Sequence, residues 1–227
     1  MKIAIEGVDC SGKATQSRLL ADKLGAKLFS FPAYETPAGK AILGNLKSEW
    51  DVARREQHEY GTIRGADDSS TFVKIEHRDD LKLNALILQA LMTINRFELA
   101  PAIEAAACEG HVVFDRFSAS ALIYGTLDGL DPAWIESIQA SLPKPNLWIL
   151  LDVPVEEGFR RRPERRDRYE SDRSYLEKVR EGYLKLFSER AKCEKWVVVD
   201  GRGTIGQVHA RIWEEVGSVN LVSPPRI

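Results

Sequence analysis

The sequence has few cysteines and histidines and no long hydrophobic run. Its three cysteines, Cys10, Cys108 and Cys193, form no C-x-x-C pair, and its four histidines show no metal-ligand spacing. This pattern argues against a disulfide scaffold and against a zinc site, and it predicts free thiols in the cytoplasm. A membrane-spanning helix needs about 18 consecutive apolar residues, and a secretory signal needs an apolar segment behind a basic start. Neither is present, so we expect no association with a membrane.

An excess of charge of either sign is also missing. Lysine and arginine number 32 against 34 aspartate and glutamate, which leaves a net charge of −2. This balance excludes the broad basic surface typical of proteins that bind nucleic acids. Hydrophobic residues make up 44% of the 227 residues, which is enough for a full core, and we expect one domain over residues 1–227.

A glycine-bracketed segment follows the first apolar run of the chain. Gly7, Gly12 and Lys13 have the spacing G-x-x-x-x-G-K ahead of a helical pattern. Such a loop aims backbone N–H groups at a phosphate, while the lysine and the helix dipole add positive charge. We therefore predict a phosphate-binding loop, called here the P-loop (residues 7–13), although a tight strand-to-helix turn with a solvated lysine would share the spacing. Ala14 stands where the motif normally carries the hydroxyl that binds Mg²⁺.

Apolar runs alternate with helix-period segments along the chain, which predicts a parallel sheet with crossover helices. The predicted strands are residues 3–5, 27–31, 111–115, 147–152 and 196–199. The predicted helices are residues 13–24, 37–46, 80–108, 118–125, 132–140, 171–190 and 204–216, with a further helix entering an arginine run from residue 154. On the longest helix we expect an inward stripe of Leu83, Leu86, Ile87, Leu91, Ile94 and Phe97. Residues 48–80 have no readable pattern and are treated as an insertion of uncertain structure.

Two groups of charged residues point to phosphate chemistry. Asp115 and Arg116 end a predicted strand, at the edge where open α/β sheets bind ligands. There the carboxylate can hold Mg²⁺ and the arginine can bind a phosphate, with a surface ion pair as the alternative. Six arginines fall within residues 160–168. A block of this density suits a lid that closes over a phosphoryl group, although a charge run is usually a solvated face.

Taken together, these motifs resemble the thymidylate kinase family of P-loop nucleoside monophosphate kinases. The resemblance covers nearly the whole chain and is carried by EGVDCSGKATQ (residues 6–16), FP (31–32), NR (95–96), DRF (115–117), LPKPNLWILLDV (142–153) and DRYES (167–171). It implies an α/β fold of the three-layer P-loop NTPase type, with helices on both faces of a five-stranded parallel sheet and an arginine-rich lid at about residues 160–170. It also implies transfer of the γ-phosphoryl group of ATP to dTMP, with Mg²⁺, in a homodimer.

The resemblance assigns roles to individual positions. The residues implied to hold ATP are Gly7, Ser11, Gly12, Lys13, Ala14, Thr15 and Arg166. The residues implied to bind the acceptor nucleotide are Asp9, Phe31, Tyr34, Met92, Arg96, Arg116, Ser120, Tyr124 and Tyr169. The residues implied to be catalytic are Asp9, Lys13, Asp115, Arg116, Arg162 and Arg165, with Asp115 organising the metal ion.

Some positions depart from the family pattern. Tyr34 stands where an arginine often binds the acceptor phosphate, and Met92 stands where a phenylalanine usually stacks on thymine. Both leave open a kinase for another or a modified deoxynucleoside monophosphate. Ala14 leaves open a catalytically weak nucleotide-binding protein. Cys10 replaces an arginine found in the P-loop of some members, which resembles the subset whose lid supplies the catalytic arginine.

Overall fold

The structure is a computed structural model that describes residues 1–46, 62–64, 70–72, 77–161, 172–192 and 195–219, with side chains described outside residues 62–64, 70–72 and 77–81. Its strands are β1 (Lys2–Glu6), β2 (Lys27–Ser30), β3 (Thr62–Arg64), β4 (Ser70–Phe72), β5 (Val112–Asp115), β6 (Leu147–Asp152) and β7 (Trp196–Asp200). Its helices are α1 (Lys13–Leu24), α2 (Pro37–Leu46), α3 (His77–Glu109), α4 (Ser118–Leu127), α5 (Pro132–Gln139), α6 (Val155–Arg161), α7 (Arg173–Arg190) and α8 (Ile205–Ser218).

Five of these strands form one parallel sheet in the order β2-β5-β1-β6-β7. The three central strands are continuous apolar runs, as expected for parallel strands covered on both faces. Ile5 pairs with Asp115 across β1 and β5, so the carboxyl ends of these strands lie at one edge. The predicted five-stranded parallel sheet is therefore confirmed, and the P-loop leaves the sheet at the edge where β5 ends.

Side chains on the two faces of β6 enter separate cores. Leu147, Ile149 and Leu151 pack with helices α1 and α8, whereas Trp148 and Leu150 pack with α4 and α7. This alternation gives the three layers of helix, sheet and helix. Burying an aliphatic side chain of this size stabilises the fold by about 1.5–3 kcal/mol, and truncating Ile149 to alanine would cost about 2–5 kcal/mol.

Local signals fix several helix ends. Helix α1 ends at Gly25, whose φ of 59° is the left-handed conformation that glycine adopts readily. The side chain of Asp131 accepts a hydrogen bond from the N–H of Ala133 at the start of α5. Thr204 and Gln207 form a capping box at the start of α8. These caps explain why the predicted boundaries of α1, α5 and α8 lie within two residues of the observed ones.

The predicted inward stripe of α3 is wrong at four of its six positions, whereas Ile87 and Leu91 are half-buried and Leu91 packs against a core cluster. Leu83, Leu86, Ile94 and Phe97 are 48%, 40%, 50% and 38% exposed, whereas the neighbouring face of the helix is buried. That buried face carries Ala85, Leu88, Gln89, Thr93, Asn95 and Arg96. Asn95 points inward because tertiary hydrogen bonds satisfy it: its side-chain amide accepts from the N–H of Ala33 and donates to the carbonyl of Ala33.

Within residues 48–80, the described parts form an antiparallel hairpin of β3 and β4, in which Thr62 pairs with Phe72. The sequence pattern did not predict this hairpin. Helix α3 begins at His77, three residues before the predicted start. The rest of this predicted insertion lies outside the described residues. None of the helices in the described ranges is long and apolar enough to cross a membrane.

Candidate active site

A cleft of about 570 Å³ opens at the edge of the sheet where β1 and β5 end. Its walls come from the P-loop, the start of α1, the ends of β2 and β5, the end of α6 and the connection from β7 to α8. The lining residues are Asp9, Cys10, Ser11, Gly12, Lys13, Ala14, Thr15, Gln16, Phe31, Asp115, Arg116, Arg161, Gly201, Gly203, Ile205 and Val208. The sequence motifs at residues 7–15 and 115–116 therefore lie at one site.

The P-loop has the backbone conformation that its glycines predict. Gly7 and Gly12 have φ of 145° and 100°, and Cys10 between them has φ of 62°. A Cβ on Gly7 would lie 2.6 Å from the carbonyl oxygen of Leu151, so only glycine fits between the P-loop and β6. This close approach holds the loop against the sheet, while Gly12 begins α1 with no side-chain cap. The N–H groups of the first turn are thus available to an anion.

Lys13 and Ser11 are buried in the P-loop. Lys13 is 6% exposed, and its ammonium group donates a hydrogen bond of 2.5 Å to the carbonyl of Val8. Burial, together with the nearby Arg116 guanidinium, lowers the pKa of Lys13 to about 8, although Asp9 and Asp115 oppose the shift. Ser11 is 1% exposed, and its buried hydroxyl lacks a hydrogen-bond partner among the described residues. A buried ammonium and an unpaired hydroxyl that line one cleft suit an incoming phosphate.

Asp9 joins the P-loop to the turn after β5. Its carboxylate forms an ion pair with Arg116 and accepts a hydrogen bond of 3.1 Å from the Tyr124 hydroxyl. Burial alone would raise the pKa of Asp9, but Arg116 and Lys13 hold it below its usual value. The same carboxylate raises the pKa of Arg116 further, against the opposing effect of burial. This side of the cleft therefore keeps a charged carboxylate and a charged guanidinium in contact.

Phe31 and Arg96 are two further candidates for binding the acceptor nucleotide, and they lie close to each other. Phe31 lines the cleft, and the Arg96 guanidinium lies 5.8 Å from the centre of its ring. Arg96 is 2% exposed and donates to the carbonyls of Met92 and Phe117, at 2.8 and 2.7 Å. Its Nε has no hydrogen-bond partner in the described part of the chain, and burial lowers its pKa to about 10.

Three further candidates do not line the cleft: Tyr34, Met92 and Ser120. Met92 packs against a small core cluster between α2 and α3, and Tyr34 is 42% exposed. Ser120 is buried and accepts a hydrogen bond of 3.3 Å from Arg116. Their assignment to the acceptor nucleotide stays a prediction.

The far wall of the cleft was only partly assigned from the sequence: Arg161 belongs to the arginine run predicted as a lid, whereas Gly201 and Gly203 were not assigned. Arg161 donates hydrogen bonds to the carbonyl of Ser11 at 3.1 Å and to that of Gly201 at 2.9 Å. It thereby connects the end of α6 with the P-loop and the segment after β7. Gly201 and Gly203 precede the capping residue Thr204, and this G-x-G-T pattern was the available sequence signal. Glu6 and Tyr183, buried close to the site, were also not assigned.

The lid and the metal site are only partly described. Arg162, Arg165, Arg166 and Tyr169 lie outside the described residues, and their roles stay predictions. Asp115 brings a carboxylate into the same cleft as Lys13. The described residues contain no group of three or more His, Cys, Asp and Glu side chains arranged to hold a metal ion.

Comparisons with known proteins agree with this architecture. A family model described as thymidylate kinase matches residues 69–212. The thymidylate kinase of Schizosaccharomyces pombe is 29% identical over 96% of this chain and 92% of its own length. A probable thymidylate kinase of Pyrococcus horikoshii is 33% identical over 92% of each chain.

A solved structure shows the same likeness in three dimensions. The thymidylate kinase of Candida albicans superposes with a TM-score of 0.73 and 27% identity, covering 96% of this chain and 91% of that one. The family model covers more than half of the chain, and the relatives match it nearly from end to end. The chain belongs to the thymidylate kinase family.

Proposed function

We propose that this protein transfers the γ-phosphoryl group of ATP to the 5′-phosphate of dTMP, giving dTDP and ADP. The observation that carries the proposal is one cleft that combines Lys13 of the P-loop with Asp9, Phe31 and Arg116. Lys13 suits the phosphates of a donor nucleotide. Asp9, Phe31 and Arg116 suit the sugar, base and phosphate of an acceptor nucleotide. Their meeting in a single cleft suits transfer from one nucleotide to another better than the binding of either alone.

The reaction needs positioning and charge and no covalent intermediate. An oxygen of the acceptor phosphate attacks the γ-phosphorus in line with the bond to ADP. The P-loop N–H groups and the Lys13 ammonium would hold the phosphates of ATP, because both converge on the start of α1. Arg161 would hold the P-loop next to the segment after β7 through its hydrogen bonds to the carbonyls of Ser11 and Gly201.

On the acceptor side, Arg116 would neutralise the phosphate of dTMP so that two anionic groups can approach each other. Asp9 would accept a hydrogen bond from the 3′-hydroxyl of the sugar, and Tyr124, bonded to Asp9, would crowd the 2′ position. Arg96 would reach the base beside Phe31, since its Nε is buried and unpaired within the described residues. The lid arginines would close over the phosphoryl group.

Magnesium fits the donor set at this site. Mg²⁺ is commonly bound by one or two carboxylates together with phosphate oxygens and water. Asp115 supplies one carboxylate in the cleft, whereas Asp9 is engaged by Arg116 and Tyr124. We therefore assign Asp115 as the metal-binding residue, without a hydroxyl at Ala14. Bound there, Mg²⁺ would neutralise charge on the ATP phosphates.

A different acceptor is the second candidate. Tyr34 and Met92 differ from the residues usual in the family, and Met92 packs against the core next to Arg96. The Candida albicans relative is described as having broad substrate specificity. A less selective base pocket in this chain would follow the same pattern.

An ADP-release assay with ATP and Mg²⁺ tests these alternatives against a panel of dTMP, dUMP, 5-substituted dUMPs, dCMP, dGMP and dAMP. Preference for dTMP would support the proposal, and preference for another deoxynucleotide would reassign the base pocket. No ADP release with any nucleotide of the panel would favour a protein that only binds nucleotides. The matched control is Lys13→Met, which should abolish turnover and leave the circular dichroism spectrum unchanged. Turnover retained by this variant would contradict the site assignment.

We further propose a homodimer that forms through α3. Leu83, Leu86, Ile94 and Phe97 follow a helical spacing and give α3 an exposed apolar stripe. An exposed apolar stripe of this kind is typical of an interface. Sedimentation velocity should show a dimer for the wild-type chain and a monomer for Ile94→Asp. A monomeric wild-type chain would contradict this part of the proposal. We also propose that the reaction takes place in the cytoplasm, because the three cysteines of the sequence show no pattern of disulfide pairing.

A further inference from the structure

We propose that Glu6, the last residue of β1, is a positioning residue that holds Arg116 ready for the acceptor phosphate. The inference rests on the proposed function, since it concerns the residue assigned to the phosphate of dTMP. Glu6 is 0% exposed and precedes Gly7, the first residue of the P-loop. An ionised carboxylate in such a place is costly unless hydrogen bonds satisfy it. The hydrogen-bond partners of the Glu6 carboxylate therefore indicate which part of the structure this residue holds in place.

Both oxygens of Glu6 are directed at the turn from β5 into α4. Oε1 accepts hydrogen bonds from the backbone N–H groups of Phe117 at 2.8 Å and Ser120 at 3.3 Å. Oε2 accepts from the Ser120 hydroxyl at 2.6 Å and from the Tyr183 hydroxyl at 3.2 Å. Three of these four bonds fix the first turn of α4.

Glu6 replaces a helix cap that α4 lacks. Phe117 occupies the N-cap position, and it makes no side-chain capping hydrogen bond. Helices usually begin with a residue whose own side chain accepts from the first N–H groups. Here the accepting oxygen comes from β1, a strand more than a hundred positions away in the sequence. The start of α4 is consequently tied to the same strand that delivers the P-loop.

Arg116 lies directly before this cap, in a conformation that needs support. Its φ is 63°, in the left-handed region that residues other than glycine rarely adopt. Its N–H donates to the carbonyl of Ile5 at 3.0 Å, and its guanidinium donates to the Gly7 carbonyl and the Ser120 hydroxyl, each at 3.3 Å. Glu6 thus holds both the backbone that follows Arg116 and the hydroxyl that the guanidinium contacts.

The variant Glu6→Gln changes this arrangement with little change in shape. Its amide nitrogen would donate to the Ser120 hydroxyl and compete with the Arg116 guanidinium for that oxygen. Its carbonyl oxygen would also be a weaker acceptor for the N–H groups of Phe117 and Ser120, because it carries no charge. Arg116 would lose part of its support while the base and sugar contacts remain.

The test compares the affinity for dTMP with that for thymidine, which lacks the phosphate, by titration calorimetry on the full chain. Glu6→Gln should weaken dTMP binding by about tenfold, equivalent to about 1.4 kcal/mol, and change thymidine binding by less than about twofold. A merely structural role would lower both affinities by the same factor. The control Asp131→Ala removes the cap of α5, outside the cleft, and should leave the ratio of the two affinities unchanged.

Two results would overturn the inference: equal losses for both ligands in Glu6→Gln, or no loss for either. If Glu6→Gln does not fold, Glu6→Asp carries the same test, because the shorter side chain keeps the charge but withdraws it from the turn. The ADP-release assay on the wild-type chain distinguishes a failure of the proposed function from a failure of the role given to Glu6. An inactive wild-type chain contradicts the proposed function, whereas an active wild-type chain with an unchanged affinity ratio in Glu6→Gln contradicts only the role of Glu6.

Discussion

The Tyr124 hydroxyl donates a hydrogen bond of 3.1 Å to the carboxylate of Asp9, on the oxygen that Arg116 leaves open. A hydrogen bond to a charged group is worth about 1.5–3 kcal/mol. Because Asp9 would keep its ion pair with Arg116, we expect removal of the Tyr124 hydrogen bond to cost a free energy at the lower end of this range. The position of Asp9 in the cleft therefore depends on both an arginine and a tyrosine.

We expect Tyr124→Phe to lower kcat/KM for dTMP by about tenfold, which corresponds to about 1.4 kcal/mol. KM for ATP should stay unchanged, since the contacts that Lys13 and Arg161 make with the P-loop are not altered. Steady-state kinetics with each substrate varied in turn measures both values. The matched control is Tyr175→Phe, because Tyr175 makes the same kind of hydrogen bond, 3.0 Å long, to Asp128, and Asp128 does not line the cleft, whereas Asp9 does. Equal effects of the two substitutions would contradict the role given to Tyr124.

Arg161 gives a second prediction, for the donor side. Arg161→Met removes the hydrogen bonds to the carbonyls of Ser11 and Gly201 and should raise KM for ATP by about tenfold. The neighbouring substitution Arg160→Met is the control. Arg160 pairs with the same Glu157 carboxylate, but its side chain is 76% exposed and it does not line the cleft. If Arg160→Met raised KM for ATP as much as Arg161→Met, general loss of positive charge would explain the result better.

The pKa of Lys13 predicts a pH dependence. Because burial lowers this pKa to about 8, the ammonium is charged below pH 8 and increasingly neutral above it. The value of kcat/KM for ATP reports groups of the free enzyme, so it should fall by about tenfold per unit as the pH rises beyond 8. Bound phosphates favour the charged form and raise the pKa again, so kcat at saturating ATP should stay level through the same range.

Initial rates at saturating dTMP, measured from pH 6.5 to 9.5 in buffers of constant ionic strength, test this expectation. A kcat/KM for ATP that stays flat up to pH 9.5 would contradict a lowered pKa for Lys13. A parallel fall in kcat would instead point to a group that titrates in the complex.

Sequence reasoning succeeded where the signal is local. The ends of α1 were predicted correctly, because Gly12 and Gly25 mark them with conformations that few other residues adopt. The P-loop and the pair Asp115 and Arg116 were placed at one edge because parallel strands end together. These inferences need only spacing and the rules of parallel sheets.

The sequence carries no signal for side chains whose burial depends on contacts with distant parts of the chain. Six apolar residues of α3 were expected inside, and four of them are exposed, while Asn95 and Arg96 occupy the buried face, where they bind backbone groups of Ala33 and Phe117. Glu6 was read as part of a motif, since its partners lie more than a hundred positions away. Periodicity measures hydrophobicity along one element and cannot report hydrogen bonds between elements.

Gly7 and Gly206 form a matched pair for the last prediction. An alanine Cβ at Gly7 would meet the Leu151 carbonyl at 2.6 Å, in a backbone conformation with φ of 145°. An alanine Cβ at Gly206, in the first turn of α8, would meet nothing within 4 Å. Gly7→Ala should therefore destabilise the chain by at least about 2 kcal/mol, since both steric overlap and backbone strain oppose it.

Thermal unfolding without nucleotide measures this difference. For a chain of this size, 2 kcal/mol corresponds to a fall in Tm of about 4–8 °C. Gly206→Ala should leave Tm unchanged or raise it slightly, because alanine favours a helix over glycine by up to about 1 kcal/mol. ATP should protect Gly206→Ala as it protects the wild-type chain, but it should protect Gly7→Ala less, since the displaced P-loop no longer converges on the phosphates. An equal Tm for the two variants would mean that β6 can move away from the P-loop, and Gly7 would then not be the residue that fixes its position.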